Sequence, residues 1–148
     1  MQTIKKIYKK IILFFIINTI SFSYINLYPL EFNKNITKGA FQEFVLYNRS
    51  TKPVRYRIYI EEVPNRNSMK DWIEVYPKSI TLNSLEEDSI RVYVQSPEGT
   101  KEGIYEANLV IKEISLPQPK LTEEEKNKKH NILTMVKLRL KGSVKYEN

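Results

Sequence analysis

The chain has 148 residues, no cysteine and a single histidine. This excludes disulfides, thiolate zinc sites, a cysteine nucleophile and a lipid-modified cysteine anchor, and leaves little material for a Ser-His-Asp triad or a multi-histidine metal site. Four lysines (Lys5, Lys6, Lys9, Lys10) precede position 24, so the formal charge of +7 falls to +3 (20 basic against 17 acidic) in the rest, and the basic balance is a targeting feature with little bearing on nucleic acid.

Residues 1–23 have the three-part layout of a secretory signal peptide: a basic Met1–Lys10, an apolar Ile11–Ile20, and Ser21-Phe22-Ser23 with small residues around a cleavage site after Ser23. The alternative is an uncleaved membrane anchor over Ile4–Phe22, but a spanning helix needs about 20 predominantly apolar residues, and the four lysines shorten this stretch. A periplasmic protein is expected, with residues 24–148 forming one domain.

From Ile25 the hydrophobic period is two, the mark of half-buried strands. Asn26–Phe32 and Phe41–Asn48 are the first short candidates. Val54, Tyr56, Ile58 and Ile60 then alternate with Arg55, Arg57, Tyr59 and Glu61. Trp72–Tyr76 and Ser79–Leu82 follow, and Ile90, Val92 and Val94 alternate with Arg91, Tyr93 and Gln95. Tyr105, Ala107, Leu109 and Ile111 alternate with Glu106, Asn108, Val110 and Lys112. Turn chemistry at 48–53, 64–68 and 96–99 separates these runs. Seven or eight strands in about 120 residues make an all-β, immunoglobulin-like antiparallel β-sandwich, with Trp72 and the aromatic-rich strands expected to fill the core in place of a disulfide.

Residues 117–131 (PQPKLTEEEKNKKHN) form a polar segment too long for a hairpin turn, and loops of that size tend to be functional or disordered. The last strand, Ile132–Tyr146, begins apolar on both faces: Ile132, Val136 and Leu138 on one, Leu133 and Met135 on the other. If the first set fills the core, the second faces away from it, a hazard that native sheet edges normally suppress. Either a partner covers it or the long loop folds back over it.

Several segments, in order, resemble the amino-terminal immunoglobulin-like domain of the periplasmic pilus-assembly chaperones, the PapD-like family. They are Tyr28-Pro29-Leu30-Glu31-Phe32, Phe44–Ser50 with Pro53-Val54, Trp72-Ile73, Pro77–Leu82, Ile90-Arg91-Val92, Gly103–Ala107, and Asn131–Val136 as the donor strand. The resemblance implies a chaperone that lends its last strand to pilus or fimbrial subunits lacking their own, main-chain bonds pairing the edge and alternate side chains filling a groove. Ile132, Leu133, Met135 and Lys137 would then form the partner-binding strand. An exported subunit would be the partner, with an outer-membrane usher as a further one.

Three departures stand out. Lys137 occupies a groove position where the family usually has a hydrophobe. Pro29 stands where the family has an Arg that anchors a terminal carboxylate, leaving Lys141 or Lys145 as the anchor. The family's second domain has no counterpart before Asn148. No enzyme, cofactor, metal site or small-molecule substrate is expected. The competing readings are a structural surface or fimbrial subunit and another exported immunoglobulin-like binding module. Glu61-Glu62, Glu86–Asp88 and the Lys137, Arg139, Lys141 stripe are read as wet surface. Asn35-Ile36-Thr37 and Asn48-Arg49-Ser50 are read as chance glycosylation sequons.

Overall fold

Leu27 and Phe32 stand an odd number of positions apart, which would put them on opposite faces of one continuous strand. In the computed structural model, which describes residues 26–116 and 133–146, both side chains nevertheless enter the core. The chain achieves this by changing sheets. Strand β1 (Asn26–Tyr28) lies in one sheet and β2 (Phe32–Asn35) in the other. Pro29, with no N–H to give to a ladder, opens the crossing; the Tyr28–Pro29 bond is cis. The expected single strand Asn26–Phe32 is therefore two.

Seven further strands follow: β3 (Ala40–Tyr47), β4 (Val54–Glu61), β5 (Ile73–Tyr76), β6 (Ser79–Leu82), β7 (Glu87–Val94), β8 (Gly103–Ile114) and β9 (Met135–Val144). One sheet has the order β1-β3-β7-β5 and the other β2-β9-β8-β4-β6. The molecule is thus all-β, a two-sheet immunoglobulin-like sandwich. It has nine strands among the described residues where seven or eight were expected, the split first strand supplying the extra one. All neighbours pair antiparallel except β2 and β9, which run parallel. The signal segment, the polar segment 117–131 and Ile132 lie outside the described residues.

The core is mainly aliphatic. Ile58, Ile90, Leu109, Ile111 and Leu140 are fully buried with Phe32 and Phe44. Trp72 is not its centre, contrary to expectation. It ends a short 3-10 turn (Lys70–Trp72) before β5, is only partly buried, and packs its ring 4.7 Å from that of Tyr105. The inward face of β9 carries Gly142, where a Cβ would stand 2.6 Å from Ile36 Cδ1 and 2.9 Å from Met69 Sδ. Any larger residue here would require the Ile36 and Met69 side chains to shift.

Asn48, just past β3, is 2% exposed. Its Nδ2 donates to the carbonyls of Lys52 (2.9 Å), Leu82 (3.2 Å) and Asn83 (2.8 Å). Its Oδ1 accepts from the Ser50 N–H (2.9 Å) and hydroxyl (2.7 Å). One side chain thereby pins the β3–β4 turn to the end of β6, and the Asn48 sequon has its amide nitrogen buried and engaged. Leaving buried carbonyls without a donor costs about 1–3 kcal/mol. Asn48→Ala is expected to lower the unfolding free energy by about 2–3 kcal/mol, read as a lower urea midpoint with unchanged slope.

Candidate partner-binding edge

β9 pairs with β8 from Met135 opposite Lys112 to Val144 opposite Gly103. The contact extends one residue further: the Glu113 N–H donates to the Thr134 carbonyl at 2.8 Å, and the Thr134 N–H to Glu113 Oε2 at 3.1 Å. The same carboxylate adds to burial in pushing the Tyr56 phenol up to about 12, burial being the larger cause. This flank of β9 is held along its whole length.

The other flank is only half covered. β2 pairs with Leu140–Ser143, and Ile36 adds a bond to the Ser143 carbonyl at 2.9 Å. Among the described residues no strand pairs with Met135–Arg139 on this side. In an antiparallel ladder successive residues aim their N–H and C=O groups alternately at the two neighbours. Ser143 faces β2, and so by alternation do the residues at even spacing from it. The backbone groups of Met135 and Lys137 therefore point at an open edge.

Side chains alternate across the same stretch. Val136 and Leu138 pack on the core, and Leu140 is fully buried. Met135, Lys137 and Arg139 face outward with Leu133, and Leu133 and Met135 are 45% and 50% exposed. Both large apolar groups thus lie beside the unpaired backbone.

Lys137 does not extend that apolar row. Its Nζ lies 2.6 Å from Glu61 Oε2 on β4, two strands away. The side chain is turned back across β8 beside Val110, which is completely buried although it faces outward. Val110 had been expected on the wet face, and Glu61 as solvated surface. The hydrogen bond with Lys137 is the main cause holding the Glu61 carboxyl below its usual range, and the same bond raises the Lys137 ammonium. Arg139 is fixed likewise: Nη1 sits 2.8 Å from Glu106 Oε2, a carboxylate also 3.9 Å from Arg66 Nε. Sequence reading missed Glu61 and Glu106, because the register that brings them to β9 joins residues 76 and 33 positions apart.

The two lysines suggested as a carboxylate anchor lie beyond the open stretch. Lys141 is exposed between Glu106 and Asn33 in the ladder. Lys145 has its backbone N–H bonded to Thr37 Oγ1 at 3.0 Å and shares a small hollow with Asn35, Thr37, Lys38 and Tyr146. Structure does not bring Lys141 and Lys145 to one site, and Lys38 is the cation that lines the hollow with Lys145. Among the described residues no group of three or more His, Asp or Glu side chains is placed to hold a metal ion.

A carboxyl with a depressed pKa contributes stability that is present above its ordinary range and lost as pH falls through the lowered value. The Glu61–Lys137 contribution should therefore be complete at neutral pH and disappear in acid. By NMR titration, Glu61 is expected to titrate below an ordinary glutamate and to move back up in Lys137→Gln.

No family model matches the chain, and no curated protein matches it in sequence. Solved structures match its fold. The E. coli chaperone DraB has a TM-score of 0.60 at 10% identity, the match covering 82% of this chain and 56% of that one. A chain from the complex of the Salmonella enterica SafA pilin with the SafB chaperone has a TM-score of 0.60 at 12% identity, covering 84% and 56%. PapD-like domain 7 of human CEP192 has a TM-score of 0.59 at 13% identity, covering 85% and 88%. This chain spans just over half the length of the first two. At such identities the likeness is one of fold.

Proposed function

We propose that this protein is an exported, non-enzymatic binding module that lends the free edge of β9 to another exported protein, in the manner of a pilus or fimbrial subunit chaperone. The observation that carries this reading is that, among the described residues, no strand pairs with the edge-facing backbone of Met135 and Lys137, which lies beside exposed Leu133 and Met135. A sheet edge of this kind is a template for a further strand, and main-chain pairing with alternate side chains in pockets is how strand addition binds. The fold-level likeness to DraB, a chaperone, and to a complex of a chaperone with a pilin supports the same role. A structural subunit is the weaker reading, since a subunit that polymerises by accepting a strand lacks its own last one, and here β9 is formed and paired with β8.

Replacing Leu133 and Met135 together by Asp is expected to leave the far-ultraviolet circular dichroism unchanged, because both are half exposed, and to abolish capture of a small β-rich exported protein in one-to-one complex from the native envelope fraction. Loss of structure in the double variant would place both residues in the core and overturn the interface. Export is tested separately by mass spectrometry of the secreted form, expected to begin at Tyr24; an intact Met1 would favour the anchor.

A further inference from the structure

We infer, resting on the reading that β9 lends its free edge, that the strand this edge accepts is acidic on its outward face, carrying carboxylates beside Lys137 and Arg139 and an apolar side chain beside Met135. The ladders fix the outward rows of this sheet. Arg57, Lys112 and Met135 form one, Tyr59, Val110 and Lys137 the next, and Glu61, Asn108 and Arg139 the third; Glu106 and Lys141 follow. Among the described residues the rows therefore carry Arg57, Lys112, Lys137, Arg139 and Lys141, with Arg55 one row beyond, against Glu61 and Glu106. Both carboxylates are already engaged, Glu61 by Lys137 at 2.6 Å and Glu106 by Arg139 at 2.8 Å. Among the described residues no carboxylate forms an ion pair with Arg57, Lys112 or Lys141.

A strand added at Met135–Arg139 extends this face by one column. Its outward side chains become direct or diagonal neighbours of Met135, Lys137 and Arg139, where opposite charges attract and like charges repel. Its inward side chains continue the apolar row of Val136 and Leu138. The excess of positive charge also draws an acidic segment in from solution, an effect that salt weakens. A second copy of β9 is a poor occupant, since it brings its own Lys137 and Arg139 onto a face already rich in cations.

Two synthetic peptides with valine at every second position provide the test, one with glutamate and the other with lysine at the intervening positions, titrated by fluorescence anisotropy into the purified protein. At low salt the glutamate peptide is expected to bind about tenfold more tightly than the lysine peptide. The gap should close at high salt and shrink in Lys112→Glu/Lys141→Glu. Binding should protect the Lys137 amide from exchange, and Leu133→Asp/Met135→Asp should weaken both peptides. Equal affinities, or preference for the lysine peptide, would overturn the acidic assignment while leaving strand addition in place. Failure of both peptides to bind would overturn strand addition and the inference with it. Glutamate-peptide binding that leaves the Lys137 amide exchanging freely would overturn the location.

Discussion

The crossing of the first strand from one sheet to the other governs what the rest of the molecule presents. Leu27 and Phe32 can both reach the core only if the chain leaves the β3 side of the sandwich and arrives on the β9 side between them. Its two short halves are then spent on different edges. β1 closes the first sheet beside β3, while β2 has only Phe32–Asn35 to set against β9 and covers Leu140–Ser143. The remainder of β9 is paired with β8 on one flank and, among the described residues, has no partner strand on the other.

That edge is held firmly from behind by its pairing and packing. Its whole length is fixed to β8, Thr134 is clamped by both the backbone and the side chain of Glu113, and Val136 and Leu138 are anchored in the core. An edge already held in strand conformation loses little further freedom when another strand pairs with it, and preorganisation of this kind is a main determinant of affinity at a given contact area. The ion pairs act in the same direction. Glu61 and Glu106 draw Lys137 and Arg139 back over the sheet, so two long side chains that would otherwise sweep the edge are parked on its outer face. Lys137, polar beside two apolar neighbours, is thereby integrated with the sheet behind it.

Much of the sandwich was legible in the sequence because period two survives wherever one face is wet. Val54–Glu61 and Ser79–Leu82 have the bounds that alternation predicts. Reading failed where local pattern and tertiary setting diverge. Asn26–Phe32 carries strand-like residues throughout, and only the parity of Leu27 against Phe32, with Pro29 between, signals two sheets. Trp72, expected to fill the core in place of a disulfide, sits at the margin where a 3-10 turn ends and β5 begins. Val110 obeys the alternation and is still buried, because the outer face here is partly covered. The two faces at the start of β9 could be told apart from pattern, but not the absence of a neighbour along its edge, which depends on where β2 stops pairing.

The fold alone is shared by proteins as different as DraB and a domain of CEP192, so fold cannot by itself assign a role. What individualises this chain among the described residues is a combination on one sheet: a stretch of β9 backbone with no partner strand, two exposed apolar side chains beside it, and an excess of cations on the outer face. Each has an ordinary explanation alone. Exposed single hydrophobes are common on protein surfaces, edges occur in every open sheet, and basic side chains often line a wet face. The apolar pair lies on the half of β9 that β2 does not reach, and the cations lie on the same outer face around it. An edge kept merely tolerable would be protected by putting its charges on the edge itself, as natural sheets do. Here Lys137 and Arg139 are instead drawn back along the outer face to Glu61 and Glu106, and Leu133 and Met135 are left beside the edge. That disposition favours receiving a strand over repelling one.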